Sequence, residues 1–408
     1  MGRLLARMLE RSSARSPVPF SVLFADGGRF ACGAGEPVFT IRFLSRAAQW
    51  RTLAFKHIGL LESWFDGQVE FEGDLGAMFR VGMYSDFDTP NLAVRLRNRW
   101  HELLHSNARG ARAKANARIH YGLGQDFYRQ WLDVPLMMYT CAYWEEGVAT
   151  IEQAQAAKID HVCRKLRLAP GERVLDVGCG FGGFMLRAAQ RCGVSVTGLN
   201  TTTEQVVELR ERIAREGLGE RLGVVEADFR EDVGQFDKVV SIGVLEHAGR
   251  DQLDEVVRAH ARALRPGGLG MLHFIGHVGE AQTEFFIRRH VFPGGWIPSL
   301  ARTVEAMARC GLEVLDIENL RRHYAPTLDA WAQRFDAHWP AIQALDPSRF
   351  DERFRRIWRT YLIGCAEMFR SPHGGTHLFQ IVFSKGNVDR STYPMTRRFL
   401  YEAAPAAT

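Results

Sequence analysis

Short apolar runs separated by longer amphipathic stretches fill the second half of the chain. From about Lys158 onward, Val174–Val177, Val194–Leu199, Leu222–Ala227, Lys238–Ile242, Leu269–Phe274 and Leu312–Ile317 are runs of strand length with helical patterns between them. Such alternation predicts an α/β fold, a parallel doubly wound sheet with helices on both faces. Phe379–Phe383 supplies a late strand, expected to be antiparallel.

The first hundred residues read differently. Phe20–Phe24 and Pro37–Phe43 alternate as strands and are separated by the turn formers Asp26-Gly27-Gly28 and Gly33–Gly35. Gly59–Asp66 reads as an amphipathic helix, Gln68–Glu72 as an alternating strand, and a second helix starts near Leu75. A small α+β domain over 1–104 is therefore expected, carrying no catalytic cluster and no phosphate loop. A basic linker over 105–120 follows, and a catalytic domain over 121–408. Arg95, Arg97, Arg99, Arg109, Arg112, Lys114 and Arg118 make the region around the linker positive, either as a solvated strip or as a strip facing lipid phosphates.

Composition narrows the classes. The 408 residues exceed what one core usually serves, and 46% hydrophobic with 24% charged residues is ordinary globular usage. No apolar run approaches the ~20 residues that cross a bilayer, and Met1–Arg15 lacks the apolar core of a secretory signal. The seven cysteines are dispersed without a C-x-x-C pair, which speaks against a zinc site or a disulfide framework and for a cytoplasmic setting. A net charge of +5 suggests an anionic partner, nucleic acid or lipid.

Chemistry concentrates after the first strand of the α/β region. Glycines at 178, 180 and 183 in Val174–Gly183 match G-x-G-x-x-G, a turn that lets backbone approach a ligand. Asp176 precedes them within the strand, placed to orient the turn or a ligand ammonium. The second strand ends in Asn200-Thr201-Thr202-Thr203-Glu204-Gln205, without the acid that a nicotinamide ribose requires, and Thr201–Glu204 reads as a capping box. These features favour S-adenosylmethionine over a dinucleotide. Asp228 and Phe229, after the third strand, are candidates for adenine contacts.

A doubly wound sheet binds substrate beyond the carboxyl ends of its strands. The fourth ends in Glu246-His247 and the fifth in His273-Phe274-Ile275-Gly276, an acceptor and a titratable donor at adjacent positions. The Asn/Asp-Pro-Pro-aromatic motif of nucleic-acid amino methylation is absent, so no nucleic-acid partner is expected. Aromatic residues crowd the flanks, among them Tyr121, Phe127, Trp131, Tyr139, Tyr143 and Trp144 before the core and Trp296, Tyr324 and Trp331 after it.

The chain resembles the cyclopropane-fatty-acyl-phospholipid synthase family over about Tyr121 to Lys385. The matching blocks are Phe127-Tyr128 through Trp131-Leu132-Asp133, Met138–Trp144, Leu175–Gly183, Glu204-Gln205, Glu246-His247, Leu272–Gly276, Phe292–Gly295 with Pro298-Ser299, and Tyr324 with Thr327-Leu328 and Trp331. The N-terminal unit looks like that family's smaller, sterol-carrier-like lipid-binding domain. The resemblance implies a class I methyltransferase core with a Rossmann-like sheet. Its cofactor contacts would fall on Tyr139, Thr140, Gly178, Gly180, Asn200, Thr201, Gln205 and Asp228, and Asp176 and Gly182 of the glycine turn complete the candidate cofactor set. It further implies a bicarbonate ion held by Cys141, Glu246, His273, Ile275 and Tyr324, and no metal.

The implied reaction adds the sulfonium methyl of S-adenosylmethionine to a cis double bond of an unsaturated phospholipid acyl chain. Bicarbonate then removes a proton from the new methyl group and a cyclopropane ring closes. A peripheral enzyme at the inner face of the membrane is expected, with a homodimer left open. A methyl-branched product and a small-molecule amine substrate remain alternatives. Gly122–Gln125 departs from the family's Asp-x-Gly-Asn, and Phe181, Phe274 and His277 also differ, changes expected to alter pocket shape and cofactor contacts.

Overall fold

A computed structural model describes residues 2–13, 16, 18–84, 92–105, 122–281 and 283–401. The chain divides into two compact units: Met1–Ser106 with Glu284–Pro293 and Ala325–Gly375, and Asn107–Thr283 with Gly294–Tyr324 and Thr376–Thr408. The division is thus not collinear with the expected domains, because two later segments group with the N-terminal residues. The expected linker falls almost wholly outside the described residues.

In the first unit four strands, β1 (Phe20–Leu23), β2 (Arg29–Cys32), β3 (Phe39–Phe43) and β4 (Val69–Gly73), form a sheet in the order β2-β1-β3-β4. β1 and β3 run parallel, and the outer pairs are antiparallel. Alternate residues Phe20, Val22, Phe39, Ile41 and Phe43 are buried, with the Phe20 and Phe39 rings stacked at 5.1 Å. β2 escapes the sequence pattern: four residues with two exposed positions carry too little alternation to read as a strand. The helix expected over Gly59–Asp66 begins earlier and spans Arg46–Phe65, with Ser45 capping it through the Ala48 N–H. Lys56 sits at φ 50° inside it, and this break in periodicity hid the first half.

The second unit holds seven strands: β5 (Arg173–Val177), β6 (Ser195–Asn200), β7 (Leu222–Glu226), β8 (Phe236–Ile242), β9 (Leu264–Gly276), β10 (Leu312–Asn319) and β11 (His377–Lys385). Their order is β10-β11-β9-β8-β5-β6-β7. Neighbours from β9 to β7 pair in parallel, and β11 is antiparallel to both β9 and β10, as the sequence pattern predicts. Consecutive strand residues feed opposite cores. Val174, Val240, Met271 and Val382 join one buried cluster with the helices Ile151–Leu166 and Gly183–Cys192; Leu175, Val239, Leu272 and Ile381 join the other with Leu253–Ala263. Two-sided burial explains why these strands read as near-continuous apolar runs.

This register assigns the polar positions to a face. Asp176 follows Val174 by two residues, and His273 follows Met271, so both lie on the side of helix Ile151–Leu166. Among the described residues no helix is long and apolar enough to cross a membrane.

Candidate active site

The glycine turn is built for close approach. Gly178 has φ +78°, and a Cβ there would stand 2.3 Å from Cγ2 of Val244, the residue two before Glu246. Gly180 has φ +54° with open space where its Cβ would point, so the backbone there is bare toward a ligand. Backbone N–H groups of Gly178 and Cys179 both donate to the Leu199 carbonyl, tying the turn to the end of β6. Asn200 extends that tie: its Nδ2 donates to Gly180 O at 3.1 Å and to Gln205 Oε1 at 3.0 Å, and its Oδ1 accepts from Thr202 N at 2.9 Å. The expected capping box is absent: the helix runs Thr203–Arg215 with Thr202, not Thr201, at its cap, and no side-chain cap, while the Thr202 amide donates to Asn200 Oδ1. Gly182, at φ +80°, packs against Leu209. Thr201 is half-buried beside these groups.

Asp176 is almost fully buried, and burial pushes its carboxyl up to about 7 against the lowering charge of Lys158. Asp228 is differently placed. Both its oxygens accept from Arg230 Nη1 at 3.1 Å, and the Arg230 guanidinium lies 4.5 Å from the Phe229 ring centroid. Its carboxylate is therefore engaged within its own loop.

Tyr139, Thr140 and Cys141 lie on a segment anchored from helix Ile151–Leu166. Gln155 Nε2 donates to the carbonyls of Met138 at 3.2 Å and Thr140 at 2.8 Å, and Lys158 Nζ donates to Thr140 Oγ1 at 2.7 Å. Lys158 is fully enclosed, and burial brings its ammonium down to about 8 despite Asp133, Cys141 and Asp176 nearby. Asp133 Oδ1 in turn accepts from Met138 N at 2.8 Å. The sequence reading missed Gln155 and Lys158, whose signal was polar residues at helical spacing on a face that otherwise belongs to the core, and it named Asp133 only within a matching block. Tyr139 joins a ring cluster with Tyr128 and Trp131, and Phe181 joins through Tyr128 at 5.6 Å, so Phe181 is packing around the turn.

At the ends of β8 and β9, Glu246 and His273 converge. Glu246 Oε1 accepts from Ile275 N at 2.6 Å, while Gly243 N donates to His273 O at 2.8 Å. Gln380 on β11 donates its Nε2 to His273 Nδ1 at 3.1 Å, which puts the ring proton on Nε2. Glu246 Oε2 and His273 Nε2 are buried without a hydrogen-bond partner among the described residues. Burial pushes the Glu246 carboxyl up to about 7, opposed by the N–H groups of Ile275 and of Glu246 itself; burial holds His273 well below its ordinary range. Neighbouring His247 is brought down to about 4 by the same cause.

Cys141 is buried with its thiol donating to Ala142 O at 3.2 Å. Thr140 beside it meets Gly243, whose Cβ would stand 3.0 Å from the threonine methyl. Tyr324 is buried on the helix Arg321–Ala337, next to His323, whose Nδ1 accepts from Trp144 N at 2.9 Å. Glu246 is thus joined directly to Ile275, and His273 to the end of β8 through Gly243. Cys141 follows Thr140, which meets Gly243. Phe274 is not a pocket residue: it lies on the opposite face from His273, in the core against Phe379.

The family model of mycolic acid cyclopropane synthetase matches residues 108–381. The chain belongs to this family. A cyclopropane-fatty-acyl-phospholipid synthase of Escherichia coli K12 is 36% identical over 82% of this chain and 85% of its own. A "Probable fatty acid methyltransferase" of Pseudomonas putida is 35% identical over 94% of this chain and 96% of its own. Among solved structures, the Mycobacterium tuberculosis cyclopropane synthase MmaA2 aligns with a TM-score of 0.62 at 32% identity, over 67% of this chain and 98% of its own. The mycolic acid cyclopropane synthase CmaA1, complexed with SAH and CTAB, aligns at 0.61 and 34% over the same shares. Coclaurine N-methyltransferase, at 21% identity and a TM-score of 0.64, shares the fold. The chain is an S-adenosylmethionine-dependent methyltransferase of the cyclopropane synthase family, with the class I methyltransferase sheet.

Proposed function

We propose that this enzyme methylates the cis double bond of an unsaturated phospholipid acyl chain and closes a cyclopropane ring there, working peripherally at the inner membrane face. The observation that carries the reading is the pair of unspent polar atoms, Glu246 Oε2 and His273 Nε2, beside the glycine turn. One accepts and the other donates, so a small anion carrying a proton of its own fits between them. Bicarbonate is such an ion, and when held there it supplies the base for the proton that leaves the new methyl group. S-adenosylmethionine, bound at the turn, supplies an electrophilic methyl.

The protein's own part follows from its geometry. Gly178 and Gly180 give the cofactor room, and Asn200 fixes the Gly180 carbonyl. Lys158 and Gln155 hold the segment that carries Tyr139, Thr140 and Cys141. Neutral His273 donates from Nε2 without adding a positive charge beside a developing cation on the acyl chain. Glu246, titrating near 7, can share one proton with an anion that a permanently ionised carboxylate would repel. An alkene is a weak nucleophile, so exclusion of water and fixed placement matter more than acid strength.

The name of the Escherichia coli relative supports a phospholipid substrate, and that of the Pseudomonas putida relative favours a methyl-branched acyl chain as the second reading. The test is purified enzyme with S-adenosylmethionine and unsaturated phospholipid vesicles, followed by mass spectrometry of the released acyl chains. A gain of one CH₂ with no remaining double bond is expected as a ring. A gain of one CH₂ with a double bond retained points to the methyl-branched product, and no gain with any unsaturated lipid overturns the substrate class.

A further inference from the structure

We propose that the first unit carries a binding site for a phosphate group, built on Arg97 and Arg289. The site goes beyond the methyl-transfer reading, and its test reads binding alone, so either can fail without the other. At its base is Glu62 on the helix Arg46–Phe65, with a side chain only 4% exposed. Its Oε1 meets His290 Nε2 at 3.0 Å, Arg289 Nε at 3.2 Å and Arg97 Nη2 at 3.5 Å, and its Oε2 meets Arg51 Nη2 at 3.6 Å. Three guanidinium groups and an imidazole therefore gather on one carboxylate.

The other acids nearby do not balance this charge. Asp66 takes Arg51 at 2.7 Å and Arg353 at 3.5 Å, and Glu284 takes His57 at 3.0 Å. Arg97 and Arg289 are left sharing Glu62. Apart from these ion pairs with Glu62, neither has a hydrogen bond to any described residue, which leaves their other N–H donors for a ligand, and both side chains are partly open, at 27% and 39% exposure. Both lean on the buried Phe285 ring, Arg97 at 4.7 Å and Arg289 at 5.8 Å, with Phe55 on Arg97 as well at 5.5 Å. The rings fix the guanidinium planes while Glu62 holds them from below.

Burial lowers the Arg97 pKa, and repulsion from Arg289 and Arg51 lowers it further against the pull of Glu62. Two like charges kept this close favour a multiply charged oxyanion, and paired guanidinium forks match phosphate oxygens. Along the same helix, Leu92–His105, the exposed residues Leu92, Leu96 and Trp100 form an apolar stripe at four-residue spacing. Trp100 stands three residues on from Arg97, so a phosphate there has an exposed apolar side chain at hand, the chemistry of a lipid headgroup; free phosphate is the other source.

The experiment uses the full-length protein with three probes: phosphatidylglycerol vesicles, vesicles of an uncharged galactolipid, and inorganic phosphate. Vesicle binding is read by flotation and phosphate binding by the shift in melting temperature. Wild type should bind phosphatidylglycerol vesicles at least tenfold more tightly than the R97Q/R289Q double variant. A control double variant, R215Q/R309Q, removes the same charge elsewhere and should bind as wild type does. Folding is checked by circular dichroism. R97K, which keeps the charge but loses the fork, should fall between wild type and the double variant. Protection by inorganic phosphate that R97Q/R289Q abolishes, without any vesicle effect, would support the phosphate site and assign it to a free anion. Equal loss in both double variants, or no difference from wild type with any probe, overturns the site.

Discussion

Two carboxylates of the second unit, half-buried Glu318 and enclosed Glu246, are held in opposite ways. Glu318, on β10, receives His161 Nε2 at 2.8 Å and Lys165 Nζ at 2.6 Å. Burial pushes it up, but the His161 hydrogen bond and the Lys165 charge outweigh that and hold it at about 2. Tyr143 completes the arrangement, stacked between His161 at 4.4 Å and His323 at 4.6 Å. Glu246 meets only backbone N–H groups and rises to about 7. The first carboxylate is finished by the fold. The second is left for something the fold does not supply, and such an unmet cost at the end of two strands marks a site.

Breaking the unfinished side should have the larger effect. Glu246→Gln keeps the shape and removes the shared proton, so methyl transfer should fall about 10³-fold, within the range expected of a lost acid–base group. It should also change how stability responds to pH. Glu246 takes up a proton on folding, because its folded pKa of about 7 lies above the ordinary 4.5. Wild type therefore loses stability as pH rises from about 4.5 to about 7, by at most ~3 kcal/mol. The variant should lack that slope in thermal unfolding across the window.

On the finished side, Glu318→Gln leaves the buried Lys165 ammonium facing a neutral amide. Urea unfolding should report a loss of about 3 kcal/mol. In wild type this contribution is complete above about pH 4.5 and disappears as pH falls toward 2, so the variant should show a shallower acid limb. Turnover per folded molecule should stay within about twofold.

Lys158→Met tests the link between the two kinds of region, since Lys158 is a buried cation that serves the cofactor segment. S-adenosylmethionine affinity by calorimetry should weaken about tenfold, near 1.4 kcal/mol. The Asp176 carboxyl should rise further without the Lys158 charge. A pH profile of cofactor binding shifted upward separates this role from simple destabilisation.

Much of this was legible in the chain because the α/β unit is locally consistent. Val174–Val177, Lys238–Ile242 and Phe379–Phe383 are strands buried on both sides, and such runs announce themselves whatever surrounds them. Gly178 and Gly180 were legible because positive backbone angles in a tight turn favour glycine. Glu246 and His273 came from their place at strand ends, and their unspent atoms from the structure alone. Lys158, Gln155, His161 and Lys165 were not legible. Polar residues on a helix read as a solvated face, and only the folded packing shows this face turned inward onto Thr140 and Glu318. The Thr201–Glu204 capping pattern misled because the helix starts one residue later, with Thr202 at its cap. A true capping box stands at Thr150 and Gln153.

The most direct measurement of the anion between Glu246 and His273 is the initial rate of acyl-chain methylation in buffer stripped of dissolved carbonate, and again after bicarbonate is restored. Wild type should slow at least tenfold and recover fully, while Glu246→Gln should stay slow in both. An undiminished wild-type rate in stripped buffer would contradict the account.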